Sequence, residues 1–475
     1  MRRVYASDFQ SWIENKKIAV VGAGISNRPL IRWLYQYNRD ISVFDQMEKG
    51  NKRMKTIMSD FEAEGIHLAW VAGESYLDRL TGFDLVFRTP IMRPDHPALL
   101  RVGEEGAIIT SEMSLFLALC PAHTTGITGS NGKTTTTTLI SELYKSAGRK
   151  VWTGGNIGTP LLNKVFEMEE DDEVVVELSS FQLFDLVARL DTAVVTNILP
   201  NHLDIHEDFD EYIAAKKNIF KEQRPYDRLV LNYSDSISRS FALEARGEIV
   251  WFNRKDSRRS KSLFLEGDKI WFRNGSGDTV ALVEKEDIVL PGRFNIDNYM
   301  AAWGAVAGHI EPLNLRKVAS SFKGVPHRME LVREYEGIRW YNSSIDSTPE
   351  RTITTLETLF LQGRPIVLIC GGRDKNLDYS ELGPVILDTV TKIVFCGENT
   401  PLIRSSVAAA ELKRKIKVES IPMHEATSYE EAVRLAAKIA QPGDSVLLSP
   451  TGTSFDRFFN FEERGETFRQ LVLEL

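Results

Sequence analysis

Cysteine is scarce: Cys120, Cys370 and Cys396 are the only three in 475 residues, and none sits in a Cys-x-x-Cys or His-spaced pair. That argues against a disulfide framework and a structural zinc site and suits a reducing compartment. Positive charge is not in excess either, since 58 Lys and Arg face 66 Asp and Glu for a formal net charge of −8. Nucleic acid and anionic membrane are therefore poor candidate partners. No run approaches the ~20 apolar residues needed to span a bilayer. Residues 1–17 carry Arg, Asp, Glu and Lys instead of the apolar centre of a signal peptide. What remains is ordinary for a folded soluble protein: 43% hydrophobic and 26% charged residues. The length allows about three domains, and the expectation is a cytoplasmic, multi-domain chain.

Short β-branched runs alternate with longer helical periodicities, which predicts an α/β fold in three blocks. The first opens with a buried-strand pattern at 17–21, then Gly22-Ala23-Gly24 and a helix through Trp33. Strands follow at 41–44, ending in Asp45, and at 83–87, ahead of the turn Thr89-Pro90. Alone, Gly22-x-Gly24 with Asp45 downstream is a weak dinucleotide fingerprint, weakened further by Asn27 at the third glycine. The second block opens near Ile108, with strands at 174–177 and 192–195 and a small antiparallel patch over 247–290. The third begins near Val325, with strands at 366–369, 392–395 and 445–448.

The strongest local signal is Thr128-Gly129-Ser130-Asn131-Gly132-Lys133-Thr134, between a predicted strand and a helix. Small residues let backbone N–H groups turn onto phosphate oxygens, and the helix start adds its positive dipole end. Lys133 is expected to reach the terminal phosphates and the Thr134 hydroxyl a Mg²⁺ ion. The strict phosphate-loop pattern is not met, because Ile127 stands at its first glycine. The bland alternative is a glycine turn before a helix with a solvated lysine. The strand that follows ends in Glu177, where a metal-binding carboxylate belongs, and Asn197, Asn201, His202 and Asp204 follow the next one. His202 by itself could be a turn histidine; with Lys133, Thr134 and Glu177 it reads as a Mg²⁺-ATP site.

Taken in order, TGSNGKTT (128–135), GGNIG (154–158), ELSSFQL (177–183), NHLD (201–204), YIAAKKNIF (212–220), GRFNIDN (292–298), PHRME (326–330), GGRDK (371–375) and LSPTGTSFDRFFNFEERG (448–465) resemble the Mur ligases over nearly the whole chain. The closing stretch resembles the glutamate-adding branch of that family. The resemblance implies three domains: a Rossmann-like one (1–111) for a UDP-sugar nucleotide, a phosphate-loop ATPase-type one (112–324), and a Rossmann-like one (325–475) for the amino acid. It implies ATP-dependent addition of D-glutamate to UDP-N-acetylmuramoyl-L-alanine in peptidoglycan precursor synthesis, through an acyl phosphate. An L-glutamate-adding variant of the step, or a sister ligase with another amino acid, is the alternative. A nucleotide-binding regulator that lost the chemistry should have eroded Lys133, Glu177, His202 or Lys216, and all are present. Folylpolyglutamate synthase shares the ATP chemistry but starts at its phosphate-loop domain, whereas this chain has a UDP-type block ahead of it.

Carried over by motif, the phosphate-loop residues Gly129, Ser130, Asn131, Gly132, Lys133 and Thr134 hold ATP, and Asn295, Asn298 and Arg328 hold its adenine, ribose and remaining nucleotide parts. Thr134, Glu177, His202 and a carbamylated Lys216 are the implied ligands of two Mg²⁺ sites, with Lys217 the register competitor of Lys216. Lys133, His202 and Lys216 are the implied catalytic set. Ile25 and Ser26 match the diphosphate contacts, Asp45 and Gln46 the uracil contacts, and Asn156 and Ser179 the muramoyl-alanine end. Lys375, Ser454 and Phe461 match the positions around glutamate, with Arg373 a further donor. A monomer is expected. Three departures stand out: Thr89-Pro90-Ile91 where Ser-Pro-Gly is more usual, Asn201-His202 in place of Asp-His, and Ser343 and Ile345 where the family's N-D-S-K-A-T has Asp and Lys.

Overall fold

The computed structural model describes residues 6–24, 26–158, 160–201, 205–290, 292–374, 377–417 and 420–475. Three sheets carry the chain. The first holds β1 (Ile18–Val21), β2 (Ile41–Asp45), β3 (Ala69–Ala72), β4 (Leu85–Phe87) and β5 (Ile108–Thr110), all parallel in the order β3-β2-β1-β4-β5. The block division expected near Ile108 thus falls one strand early. β5 pairs with β4 at this sheet's edge, and Glu112–Leu119 is the helix that leaves it.

The second sheet comprises β6 (His123–Thr128), β7 (Val151–Gly155), β8 (Glu173–Glu177), β9 (Thr192–Val195), β10 (Arg228–Asn232), β11 (Glu248–Asn253), β12 (Ser262–Glu266), β13 (Lys269–Arg273) and β14 (Thr279–Glu284), ordered β14-β13-β12-β11-β10-β9-β6-β8-β7. The antiparallel patch is smaller than expected. β11 pairs in parallel with β10 and β12, and only β12 to β14 run antiparallel. The reason is legible in β11, whose consecutive buried Val250-Trp251-Phe252 is the pattern of a strand covered on both faces.

The third sheet holds β15 (Glu330–Tyr335), β16 (Ile338–Asn342), β17 (Ile366–Cys370), β18 (Val390–Phe395), β19 (Met423–Glu425) and β20 (Ser445–Leu448), ordered β15-β16-β20-β17-β18-β19. The β15–β16 hairpin was not among the expected strands. Its turn is Glu336-Gly337, both at positive φ, the geometry that suits the twist of a two-residue hairpin. Val367 and Ile369 pack into one apolar cluster with Trp340 and Phe468. Ile366 and Leu368 face another with Leu356 and Ile386, so this sheet is covered on both sides.

The chain folds into two compact units, 1–288 with 294–320, and 289–293 with 321–475. Within the first unit, one apolar cluster runs from Val20 and Trp33 through Phe116 to Val176 and Phe220, joining the first and second sheets. The three cysteines are buried and free. Among the described residues no helix is long and apolar enough to cross a membrane.

Candidate ATP and acyl-transfer site

In open parallel sheets, ligands sit beyond the carboxyl ends of strands where the strand order reverses. In the second sheet that place is the end of β6, flanked by β9 and β8, and the chain leaves it as the 129–132 loop. Gly129 (φ 146°) and Gly132 (φ 82°) are required there: a Cβ at the first would lie 1.9 Å from Thr196 Oγ1, and at the second 2.4 Å from Asn298 Oδ1. The loop is held from the β9 side. Ser130 N donates to the Asn197 carbonyl (2.8 Å), Asn131 N to Asn197 Oδ1 (3.0 Å), and Thr196 Oγ1 to the Asn131 carbonyl (2.6 Å). The helix Lys133–Ser146 starts directly after it, aiming its dipole at the loop. Asn298 also accepts from Thr136 Oγ1 and donates to Asn295 Oδ1 (2.8 Å), so both asparagines are brought to the loop. Lys133 Nζ is folded back onto the carbonyls of Gly129 (2.9 Å) and Ser130 (3.0 Å).

Glu177, at the end of β8, is only 2% exposed. Its Oε2 accepts from Thr134 Oγ1 (2.7 Å) and its Oε1 from Asn156 Nδ2 (2.9 Å), both neutral donors. A buried carboxylate that accepts from a hydroxyl and an amide is an oxygen-donor set suited to a hard cation. Among the described residues no three His, Cys, Asp or Glu side chains cluster tightly enough to hold a metal ion; His202 lies outside them. Lys216, on the helix Phe209–Lys221, is 1% exposed and donates to Thr128 Oγ1 (3.1 Å) and the Gly129 carbonyl (3.0 Å). Burial, reinforced by Lys133 and partly offset by Glu177, holds its ammonium well below the usual lysine pKa. Lys217, one position on, faces away from the loop and meets Glu244. Ser179, expected near the muramoyl-alanine end, caps the helix Ser180–Leu183 in a reciprocal capping box with Gln182.

One buried residue here had no place in the sequence expectations. His206 lies two residues beyond the NHLD motif, its ring nearly parallel to Phe181 (9°) and Phe184 (10°). Its Nε2 is 3.0 Å from Ser180 Oγ and its Nδ1 3.3 Å from Glu211 Oε2. Burial lowers its pKa against the raising effect of Glu211, which favours neutral imidazole. Its edge meets Tyr212, whose hydroxyl is 2.9 Å from Ser130 Oγ, so a polar and aromatic chain links the phosphate loop to the strand-end helix. The only advance signal was a histidine in a loop already bearing one.

At the end of the first sheet, Asp45 is buried. It accepts the Ala23 N–H at Oδ2 (2.8 Å) and the Met47 N–H at Oδ1 (2.9 Å). Asn27, which spoiled the dinucleotide fingerprint, donates to the Val21 and Gly22 carbonyls and ties that turn. Ser26 precedes the helix Asn27–Leu34 and Gln46 is exposed, while Ile25 lies outside the described residues. The basic run at 254–261 is largely spoken for. Arg254 pairs with Asp297 (2.6 Å), Lys261 with Glu248, and Arg259 lies over Tyr233 and Trp251.

A model of the Mur ligase middle domain matches residues 127–306, and one of the Mur ligase glutamate ligase domain matches 327–452. The chain is 47% identical over 466 residues to the UDP-N-acetylmuramoylalanine–D-glutamate ligase of Acetivibrio thermocellus, covering 98% of each chain. It is 43% identical over 467 residues to the enzyme of that name from Ruminiclostridium cellulolyticum, again 98% of each, and 44% over 469 to that of Clostridium novyi, 99% of each. The chain belongs to the Mur ligase family. In fold it is similar to the UDP-N-acetylmuramate–alanine ligase of Thermotoga maritima (TM-score 0.56, 18% identity, 97% of this chain and 100% of that one). It is likewise similar to a pseudomurein peptide ligase of Methanothermus fervidus (TM-score 0.51, 19% identity, 97% and 100%).

The second unit of this Mur ligase holds the loop that departs from the family pattern. Ser343 and Ser344 are fully buried and Asp346 nearly so. The Met329 N–H donates to Ser343 Oγ (3.3 Å), Ser344 Oγ donates to the Phe461 carbonyl (2.8 Å), and Ser449 Oγ donates to Asp346 Oδ2 (2.8 Å). Asp346 therefore does not stand in for the family's Asp by reaching out of the loop; its carboxyl faces the interior, where burial raises its pKa. Arg464, 0% exposed, gathers the loop by donating to Ser344 Oγ (2.9 Å), the Ser344 carbonyl (2.8 Å) and the Gly452 carbonyl (3.1 Å). His327 and Met329 on either side of Arg328 both take positive φ, as does buried Thr451; such strain gathers where surrounding structure enforces a site. The Phe461 ring meets that of His327 edge-on at 6.4 Å. Ser454 is buried, Arg373 pairs its backbone with Thr453, and Lys375 lies outside the described residues.

Proposed function

We propose that this Mur ligase joins D-glutamate to UDP-N-acetylmuramoyl-L-alanine with cleavage of ATP. The observation that carries the reading is near-full-length identity of 40–47% to ligases of that name, on a chain whose β6 loop, Glu177 and Lys216 converge. A carboxylate is a poor electrophile. Transfer of the γ-phosphoryl group to the L-alanyl carboxylate gives an acyl phosphate, and the glutamate amine then attacks its carbonyl carbon, expelling phosphate and leaving the amide. Charge grows on oxygen throughout, so preorganised donors around the phosphates should supply most of the rate.

In this reading residues 1–111 take the uridine end through Ile25, Ser26, Asp45 and Gln46. Residues 112–324 take ATP through the 129–134 loop with Asn295 and Asn298, Arg328 serves the same nucleotide, and residues 325–475 bring the amino acid through Lys375, Ser454 and Phe461. Thr134 and Glu177 would hold one Mg²⁺, and His202 and Lys216 would serve a second; the bound ions supply charge neutralisation on the phosphates. Lys216 suits carbamylation, because burial lowers its pKa and so favours the neutral amine that can react. The neutral amine's lone pair adds to carbon dioxide, a proton leaves, and the side chain becomes an anionic oxygen ligand. Asn156, which donates to Glu177, and Ser179, which caps the helix after it, would stand toward the muramoyl-alanine end. A cytoplasmic monomer is part of the proposal.

Ser343 and Ile345 favour one competing reading, a different acidic amino acid or the L-enantiomer, since the family lysine is absent. Amino-acid-dependent phosphate release with UDP-N-acetylmuramoyl-L-alanine separates them: D-glutamate should drive release, and preference for L-glutamate or D-aspartate would replace the proposal.

A further inference from the structure

The first sheet reverses its strand order between β1 and β4, so its ligand crevice lies between the Gly22 loop and the 88–93 loop. The loops abut, with a Cβ on Gly22 falling 3.3 Å from Thr89 Cβ. At the root of the second loop stands Arg88, 1% exposed. Its Nη1 donates to the carbonyls of Thr89 (3.3 Å), Pro90 (3.2 Å) and Met92 (3.0 Å). Its Nε donates to Asp185 Oδ2 (2.8 Å) and its Nη2 to Asp185 Oδ1 and, at 3.4 Å, to the Phe181 carbonyl. One guanidinium thus gathers three carbonyls of its own loop and fastens them to Asp185, 97 residues away in the turn that follows the helix Ser180–Leu183.

Resting on the sugar-nucleotide reading above, we propose that Arg88 is a positioning residue for the acceptor's diphosphate-sugar end. In a trans peptide the N–H points opposite to the C=O. Drawing the Pro90 and Met92 carbonyls onto Arg88 turns the Ile91 and Arg93 N–H groups to the other side of the loop, as donors for anionic or hydroxyl oxygens. The usual glycine after the proline lets a ligand approach the backbone; here Ile91 occupies that place, and the buried arginine sets the backbone instead. Arg93 reinforces the fastening, since its Nη1 donates to the Ile205 carbonyl (3.1 Å) and its Nη2 to Glu211 Oε1 (2.8 Å), on the helix that bears Lys216. The loop that receives the acceptor is therefore anchored to the segments that flank the acyl-transfer centre.

The test compares full-length wild type with Arg88→Met and Arg88→Lys by calorimetric binding of UDP-N-acetylmuramoyl-L-alanine and, separately, of ATP. A lysine cannot serve six acceptor oxygens, so both variants should lose about ten- to a hundred-fold in sugar-nucleotide affinity with ATP affinity kept within about threefold. Equal losses for both ligands, full rescue by lysine, or unchanged sugar-nucleotide affinity would overturn the assignment. Should Arg88→Met fail to fold, Asp185→Asn carries the same expectation in the same direction, and its silence counts against the proposal. Failure of the wild type itself to bind the sugar nucleotide would overturn the functional reading beneath it.

Discussion

Two loops of this Mur ligase have the same construction and opposite uses. Residues 129–132 and 343–348 each follow a largely buried strand that has a parallel neighbour and precede a helix with polar side chains clustered around the turn. In the first, Gly129 and Gly132 let the backbone close against Thr196 and Asn298, and the nearby Thr134, Glu177 and Lys216 are buried and bonded toward the loop and the strand end beside it. In the second, Ser343, Ser344 and Asp346 are spent on the interior of their own unit. The same polar residue types therefore read as chemistry in one place and as packing in the other. What separates them is the backbone: glycines at positive φ shape the first loop, and the second has none.

The contrast predicts where substitutions strike. Lys133→Ala should cut kcat about a hundred- to a thousand-fold with little change in melting temperature, because the loop lysine contributes to charge on phosphate and hardly to packing. Loss of fold in step with activity would erase the distinction, and steady-state phosphate release beside thermal unfolding reads both. Asp346→Ala should do the reverse. Removing the acceptor of Ser449 inside the unit should cost about 1–3 kcal/mol, measured by denaturant unfolding, with the KM for amino acid changed little. A selective rise in that KM would return Asp346 to the site.

The third test concerns what the first loop costs in stability. The Lys216 pKa is lowered in the folded state, so between that value and about 10.5 the unfolded chain binds more protons and stability rises with pH. Lys216→Met removes this proton uptake. In CO₂-free buffer it should therefore be more stable than wild type at low and neutral pH, with the gain shrinking as pH climbs toward 10.5. A gain independent of pH would mean that the lysine is not held neutral by burial, and unfolding curves across pH decide it.

The phosphate loop was legible in sequence because its requirements are local: Gly129, Gly132 and the strand before them are consecutive, and Glu177 ends the next parallel strand of the same sheet. That Lys216 and not Lys217 is the buried one of the pair follows from helical facing once the helix is known. Arg88 and His206 were not legible. Their partners lie 97 and 26 residues away, on elements whose meeting only the fold defines. The inward turn of Asp346 was hidden for the same reason, since Ser449 lies 103 residues on. The β15–β16 hairpin was missed because its Glu336-Gly337 turn is a weak signal beside alternation interrupted by a bulge.

The central claim is amide formation through an acyl phosphate at the β6 loop. It is tested most directly with UDP-N-acetylmuramoyl-L-alanine carrying ¹⁸O in both oxygens of its alanyl carboxylate, incubated with ATP and D-glutamate. If the carboxylate takes the γ-phosphoryl group before the amine attacks, the phosphate released carries a single ¹⁸O and the new amide retains the other. Unlabelled phosphate accompanying amide formation would contradict the account.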